Sequence, residues 1–169
     1  DGGVKFWQDH AGILSGVEKE YGVPAEIIVS IIGVETRYGT YMGNYRVVDA
    51  LATLGFDYPR RGVFFTKQLE EFFLLTREQK KNPLTFKGSY AGAMGFGQFI
   101  PSSYRSFAID YDGDGFADIW TNKKDAIASV ANYFKAHGWQ TGGPGAERAS
   151  RAANFPEKMI NNKSRPKTS

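Results

Sequence analysis

The sequence predicts a mainly α-helical domain. Apolar residues recur at helical spacing in several separate stretches, and Pro and Gly stand where helices should start and stop. Runs with the strict alternation of a half-buried strand are scarce. With 169 residues, 41% hydrophobic and 15% aromatic, the chain is large and apolar enough for one domain with a proper core.

Pro24 to Gly39 (PAEIIVSIIGVETRYG) is the strongest helical segment. Pro24 suits a first helical position and Gly39 the left-handed position past the end. Ile27, Ile28, Val29, Ile31, Ile32 and Val34 spread round most of the helix, which predicts a buried element. Their β-branching also suits a buried strand, but length and the Pro and Gly bounds favour helix. Glu35 is the lone charge in the C-terminal half of this run. Burial and the negative end of the helix dipole would both favour its protonated form. Such a carboxyl is a candidate general acid. The alternative is a salt bridge with Arg37 or Arg46 at the helix end.

The remaining elements follow in order. Val4 to Tyr21 predicts one amphipathic helix with Phe6, Ile13, Leu14, Val17 and Tyr21 on its inner face and Gly22 at its end. Val47 to Leu54 predicts a short helix, and Asp57 to Gly62 a loop. Val63 to Lys81 predicts a longer helix with Phe64, Phe65, Leu69, Phe72, Phe73 and Leu75 inward, stopped by Asn82-Pro83. The many aromatics suit a core or a groove that stacks on flat ligands.

GSYAGAMGFG, Gly88 to Gly97, is too punctuated by glycine for a strand and does not match a phosphate loop. It reads either as a tight connection or as a groove floor where backbone meets substrate. A short helix is expected from Ser102 to about Phe107. Another runs from Lys123 to His137, with Ala126, Ile127, Val130, Ala131 and Phe134 inward. Residues 1–139 therefore form the predicted core, and 140–169 a loose basic tail.

Net charge is +3, but residues 145–169 hold six Lys/Arg against two acids, which leaves the rest of the chain at −1. The body carries no basic stripe of the kind a nucleic acid requires. Disulfides and thiolate metal sites are excluded because there is no cysteine. No stretch is long and apolar enough to span a membrane, and no signal peptide is recognisable.

Asp110 to Asp118 is the strongest local motif. With Asp110 as position one, acids fall at one, three, five and nine: Asp110, Asp112, Asp114 and Asp118. Gly115 stands at six, where a calcium loop turns sharply, and the Phe116 carbonyl at seven. All-oxygen ligands suit a hard cation, with calcium first. Position twelve is Thr121 instead of a bidentate Glu, and Asp125, at position sixteen, is the candidate closing ligand. An Asx-rich turn without metal is the alternative. One small site suits stabilisation better than sensing.

Several separate motifs together resemble the membrane-bound lytic transglycosylase B family. They are GVETRYG (33–39), YPRR (58–61), GSYAGAMGFGQFIPSSY (88–104), the acidic loop, and ANYFKAHGW (131–139). The resemblance implies a lysozyme-like helical domain acting on peptidoglycan glycan strands. It implies cleavage of the β-1,4 bond between N-acetylmuramic acid and N-acetylglucosamine, without water, to a 1,6-anhydromuramoyl end. It assigns Glu35 as acid and then base. It places Ser89, Tyr90, Gln98 and Tyr133 along the substrate site, with Arg60 and Arg61 toward the peptide part. It implies an EF-hand-like calcium loop with lengthened spacing, which supports Asp125, and no organic cofactor.

The resemblance further implies a periplasmic location, and an N-terminal segment before Asp1 through which an outer-membrane anchor would attach. A monomer is expected. The family continues past HGW into a further segment not found in 140–169, so that stretch is either a tail or part of such a segment.

The chemistry agrees. Most glycosidases use two carboxylates, but one suffices where the substrate supplies its own nucleophile. Asp49 and Asp57 are the other acids considered, and both sit in polar surroundings. Ser89 is expected to hydrogen-bond Glu35 or the substrate N-acetyl group. The rival readings are a lysozyme-type hydrolase and a calcium-stabilised glycan-binding module.

Overall fold

The computed structural model describes residues 2–143. It is helical almost throughout: α1 (Gly2–Asp9), α2 (Ala11–Tyr21), α3 (Ala25–Thr36), α4 (Val47–Asp57), α5 (Gly62–Glu78), α6 (Pro101–Phe107) and α7 (Lys123–Ala136). Two short strands, β1 (Tyr45–Arg46) and β2 (Lys87–Gly88), pair antiparallel, with Tyr45 opposite Gly88 and Arg46 opposite Lys87. The tail expected over 140–169 lies outside the described residues from 144 onward.

The single helix expected over Val4–Tyr21 is two. The His10 N–H is shared between the Phe6 and Trp7 carbonyls at 3.2 Å, its backbone leaves the helical region, and α2 starts after it. Gly22, left-handed at φ 71°, ends α2 by donating to the Glu18 carbonyl. The Gly22 carbonyl accepts from Trp139 Nε1 at 2.9 Å and Thr141 Oγ1 at 3.1 Å, tying the chain beyond α7 back to the α2–α3 junction.

The most enclosed helix is α7, not α3. Asp125 through Ala131 are buried without a break. Ala126, Ala128, Ser129 and Ala131 are small, so neighbours close in on every side, and Asn122 caps the start by accepting from the Lys124 N–H. By contrast α3 buries Ala25, Ile28, Val29, Ile32 and Thr36 and leaves Val34 82% exposed. Its broad apolar surface is only half covered.

On α5 the buried stripe is Phe65, Gln68, Leu69, Phe72, Leu75 and Thr76. Phe73, expected inward, is exposed because it follows Phe72 by one residue, about 100° round the helix. The core joins Leu14, Val17, Ile28, Ile32, Leu51, Phe72, Met94, Ile119 and Ile127 from all these elements.

The glycine-rich run does contribute strand pairing, against expectation. Gly88 lies in β2, and isolated bridges join Gly88 to Met94 and Met94 to Phe99. The N–H and carbonyl of Met94 and Phe99 exchange two bonds of 2.9 Å. Gly95, at φ 66°, packs so closely that a Cβ there would lie 2.4 Å from the Ile119 carbonyl oxygen. This segment is thus a tight connection locked against the α7 side of the core.

Candidate active site

The C-terminal turn of α3 presents Glu35. Arg37 and Tyr38 both take left-handed backbone, φ 47° and 60°, and turn the chain sharply just after it. The Tyr38 ring folds back over Gly33, where a Cβ would lie 2.5 Å from the Tyr38 hydroxyl, and stacks on Phe6 at 5.4 Å. A side chain at Gly33 would therefore push the Tyr38 ring aside. Thr36 is buried, and its Oγ1 lies 3.1 Å from the carbonyl oxygens of Ile32 and Phe96 and accepts from the Gly39 N–H. One hydroxyl thus ties the helix end to the glycine-rich run.

These elements enclose a hollow of about 340 Å³. Ile31 and Glu35 come from α3, Gly97 to Ile100 from the glycine-rich run and its exit, Ser103 from α6, and Val130, Tyr133 and Phe134 from α7. Glu35 is the one carboxylate in this lining. It is exposed to the hollow, not buried as its apolar neighbours suggested, because α3 turns this face away from the core. Neither expected ion pair forms among the described residues. Arg46 Nε bonds Asp49 Oδ2 at 2.6 Å, and the Arg37 guanidinium lies over the Tyr41 ring at 5.2 Å. Asp49 is thereby engaged elsewhere, and Asp57 is exposed at the end of α4.

Gln98 and Tyr133 stand with Glu35 in this hollow. Gln98 holds φ 52°, uncommon for a residue with a side chain, and its Nε2 donates to the Met42 carbonyl at 3.3 Å and to Gly95 at 3.0 Å. Tyr133 is held by an edge-on contact with Phe99 at 5.8 Å and by stacking on His137 at 4.0 Å.

Ser89 and Tyr90 line a neighbouring hollow of about 330 Å³, which Gln98 also borders. The Ser89 Oγ accepts from the Ala91 and Ala93 N–H groups at 3.3 and 3.1 Å. Among the described residues it makes no hydrogen bond to Glu35; local backbone donors take its lone pairs instead. Arg60 and Arg61 line neither hollow. Arg61 packs over Phe64 and Phe65 at 4.4 and 5.1 Å, and the described residues show no salt bridge to Asp57.

The acidic loop gathers Asp110, Asp112 and Asp125, whose ligand oxygens lie within 4.8 Å of one another. Asp110 accepts from the N–H groups of Gly113, Asp114 and Gly115. Asp125, fully buried in the first turn of α7, accepts from Tyr111 N–H and Asp118 N–H at 2.9 and 2.8 Å. Burial pushes its carboxyl upward, while those two bonds pull it down. Asp114 accepts from the Phe116 N–H, and Asp118 binds Thr121 and the Trp120 N–H, so both stand outside the triple. Three all-oxygen donors of like charge, one of them buried, fit a hard divalent cation.

Over residues 1–169 the chain matches the family described as transglycosylase SLT domain. The chain belongs to that family. It is 56% identical over 140 residues to membrane-bound lytic murein transglycosylase B of Escherichia coli, covering 83% of this chain and 38% of that protein.

The SLT domain also matches solved structures. The soluble lytic transglycosylase SltB1 of Pseudomonas aeruginosa superposes with a TM-score of 0.84 at 64% identity, over 85% of this chain and 48% of that one. The lytic transglycosylase Slt35 of E. coli, solved in complex with calcium, gives 0.80 at 56% identity, over 83% and 45%. The chain thus spans less than half the length of these relatives, and the lysozyme-like helical architecture is shared.

Within the SLT domain, residue-by-residue reading of the sequence missed Thr36, Ser103, Tyr41 and Tyr45. Thr36 and Ser103 gave no signal, because their roles depend on contacts distant in sequence. Tyr41 and Tyr45 gave a weak one, being aromatics in a short glycine-containing loop that no helical face explains. Among the described residues no helix is long and apolar enough to cross a membrane.

Proposed function

We propose that this chain is the catalytic part of a peptidoglycan lytic transglycosylase. One observation carries the reading: a groove-lining hollow with a single carboxylate, Glu35. Glu35 gives its proton to the glycosidic oxygen as the bond to the muramoyl anomeric carbon breaks. The substrate's N-acetyl oxygen steadies the cationic carbon. The Glu35 carboxylate then takes the proton of the sugar's own 6-hydroxyl, whose oxygen closes onto that carbon. Atoms balance without water, and one carboxyl serves as acid and then base. Gln98 and Tyr133 flank the reacting sugar, Ser89 and Tyr90 hold the strand beside it, and Arg60 and Arg61 meet the stem peptide outside the two hollows.

The solvent exposure of Glu35 favours a second reading, hydrolysis of lysozyme type, since water can reach the same carboxyl. Mass spectrometry of digested sacculi separates the two: anhydromuramoyl ends without added mass support transglycosylation, whereas products that all carry one added water make the protein a hydrolase.

Asp110, Asp112 and Asp125 would hold calcium in an EF-hand-like loop; Asp114, which stands outside that triple, and the Phe116 carbonyl would add ligands at its rim. The ion's charge would offset their mutual repulsion and pin the start of α7. The ion's role is structural, and no organic cofactor is needed. Residues 1–139 form the catalytic core and act as a monomer on glycan strands at the periplasmic face of the envelope. Attachment of the full-length protein to the outer membrane is suggested by the name of the membrane-bound relative.

A further inference from the structure

We infer that His137 is a positioning residue: from outside the hollow it holds Tyr133 by backbone and ring at once, and so fixes the wall that stands with Glu35. The inference rests on the transglycosylase reading for the reaction it serves, and on its own contacts for the restraint.

His137 follows Tyr133 by four residues at the end of α7, a spacing that brings two side chains together on one face of a helix. A carbonyl can only accept, so the His137 Nδ1–H donates to the Tyr133 carbonyl oxygen, at 2.7 Å. The same imidazole stacks on the Tyr133 ring, with centroids 4.0 Å apart and planes 27° from parallel. Phe107 stands edge-on to both, 5.3 Å from Tyr133 and 4.9 Å from His137, and Phe99 stands edge-on to Tyr133 at 5.8 Å. Three rings thus box in Tyr133, which still has 37% of its surface exposed and lines the hollow with Glu35 and Gln98. A half-exposed tyrosine without such a box would sample several rotamers and offer the sugar a wall only part of the time. Restraint before binding removes that ordering cost.

The backbone of His137 is itself fixed. Gly138, left-handed at φ 90°, donates to the Lys135 carbonyl at 3.2 Å, and the Trp139 N–H donates to the Phe134 carbonyl at 3.0 Å. That pair of bonds is the Schellman closure of a helix end, and it leaves His137 as the last residue before the chain reverses. The Trp139 indole then ties this end to the Gly22 carbonyl. His137 stands outside the lining of both hollows, and its side chain is exposed. Its removal opens no buried cavity, and the Tyr133 carbonyl keeps the His137 backbone N–H at 3.1 Å. The side chain therefore acts on the site through Tyr133 and not through the stability of the core.

Two readouts test this on the full chain: steady-state kinetics on soluble peptidoglycan strands, and the Tyr133 ring resonances. In His137→Ala, kcat should fall roughly tenfold while KM stays within about twofold, the mark of a misplaced wall and not of a lost contact. His137→Phe keeps a stacked ring and should recover most of the turnover. In a Tyr133→Ala background, His137→Ala should cost nothing further, because its effect passes through Tyr133. Circular dichroism checks that each variant is folded. The Tyr133 ring protons should carry the upfield shift of a stacked imidazole and lose it in His137→Ala. Full turnover in His137→Ala, an undiminished further loss in the Tyr133→Ala background, or unmoved ring resonances would each overturn the inference. The identity of the products is scored separately. Fully hydrated products, or none, would sink the transglycosylase reading, and the ring resonances alone would then decide whether His137 restrains Tyr133.

Discussion

The Thr36 hydroxyl lies 3.1 Å from the Phe96 carbonyl oxygen, across 60 residues of sequence. It joins the helix that presents Glu35 to the loop that presents Gly97 and Gln98. Both partners are buried, so the bond is screened from water and the Phe96 carbonyl would be left unpaired without it.

Thr36→Val keeps the shape and removes the hydroxyl. We expect a loss of about 1–3 kcal/mol in stability from the unpaired Phe96 carbonyl and Gly39 N–H. Turnover should fall with substrate affinity less affected, because the carboxylate persists but its placement loosens. Thr36→Ser should restore both. Thermal denaturation and steady-state kinetics check this; a Val variant with full turnover would remove Thr36 from the positioning role.

Glu35→Gln should abolish cleavage and leave the fold intact. Loss of a proton-transfer group costs at least ~10²-fold in rate. Glu35 makes no hydrogen bond or ion pair among the described residues, so the substitution has little structure to disturb. Near-normal release of muropeptides by the variant would refute its assignment as acid and base.

Calcium should raise the melting temperature by mass action, and a chelator should reverse it. Asp125→Asn should abolish the response, because it removes the buried negative ligand at the start of α7. The cation-free protein has its own pH signature. Burial raises the Asp125 carboxyl in the folded state above its unfolded value, so the folded form binds its proton more readily. Stability of that form should fall as pH rises from the ordinary carboxylate range through the raised value, and calcium should flatten the fall. A melting temperature indifferent to calcium, chelator and pH across that range would count against the site.

Much of the helical layout is legible from local pattern. Ala25–Thr36 and Lys123–Ala136 emerge within a few residues of their predicted bounds, because apolar spacing, Pro, Gly and the Asn122 cap act locally. The acidic loop is legible for the same reason, as its turns are set by side chains hydrogen-bonding backbone a few residues away. The break at His10 and the outward Phe73 are not legible in this way, since a one-residue rotation about a helix leaves composition unchanged.

By itself, the sequence determined the helical class, Glu35 as the lone acid in the C-terminal half of its helix, and the oxygen-rich loop from Asp110. These follow from residue type and short-range spacing. Only the tertiary structure decided that Glu35 faces an open hollow, that Asp125 joins Asp110 and Asp112, and that Gln98 stands between two hollows. Each of those facts depends on which face of an element its neighbours cover. Contacts such as Thr36 with Phe96 settle that, between residues whose separation along the chain carries no periodic signal.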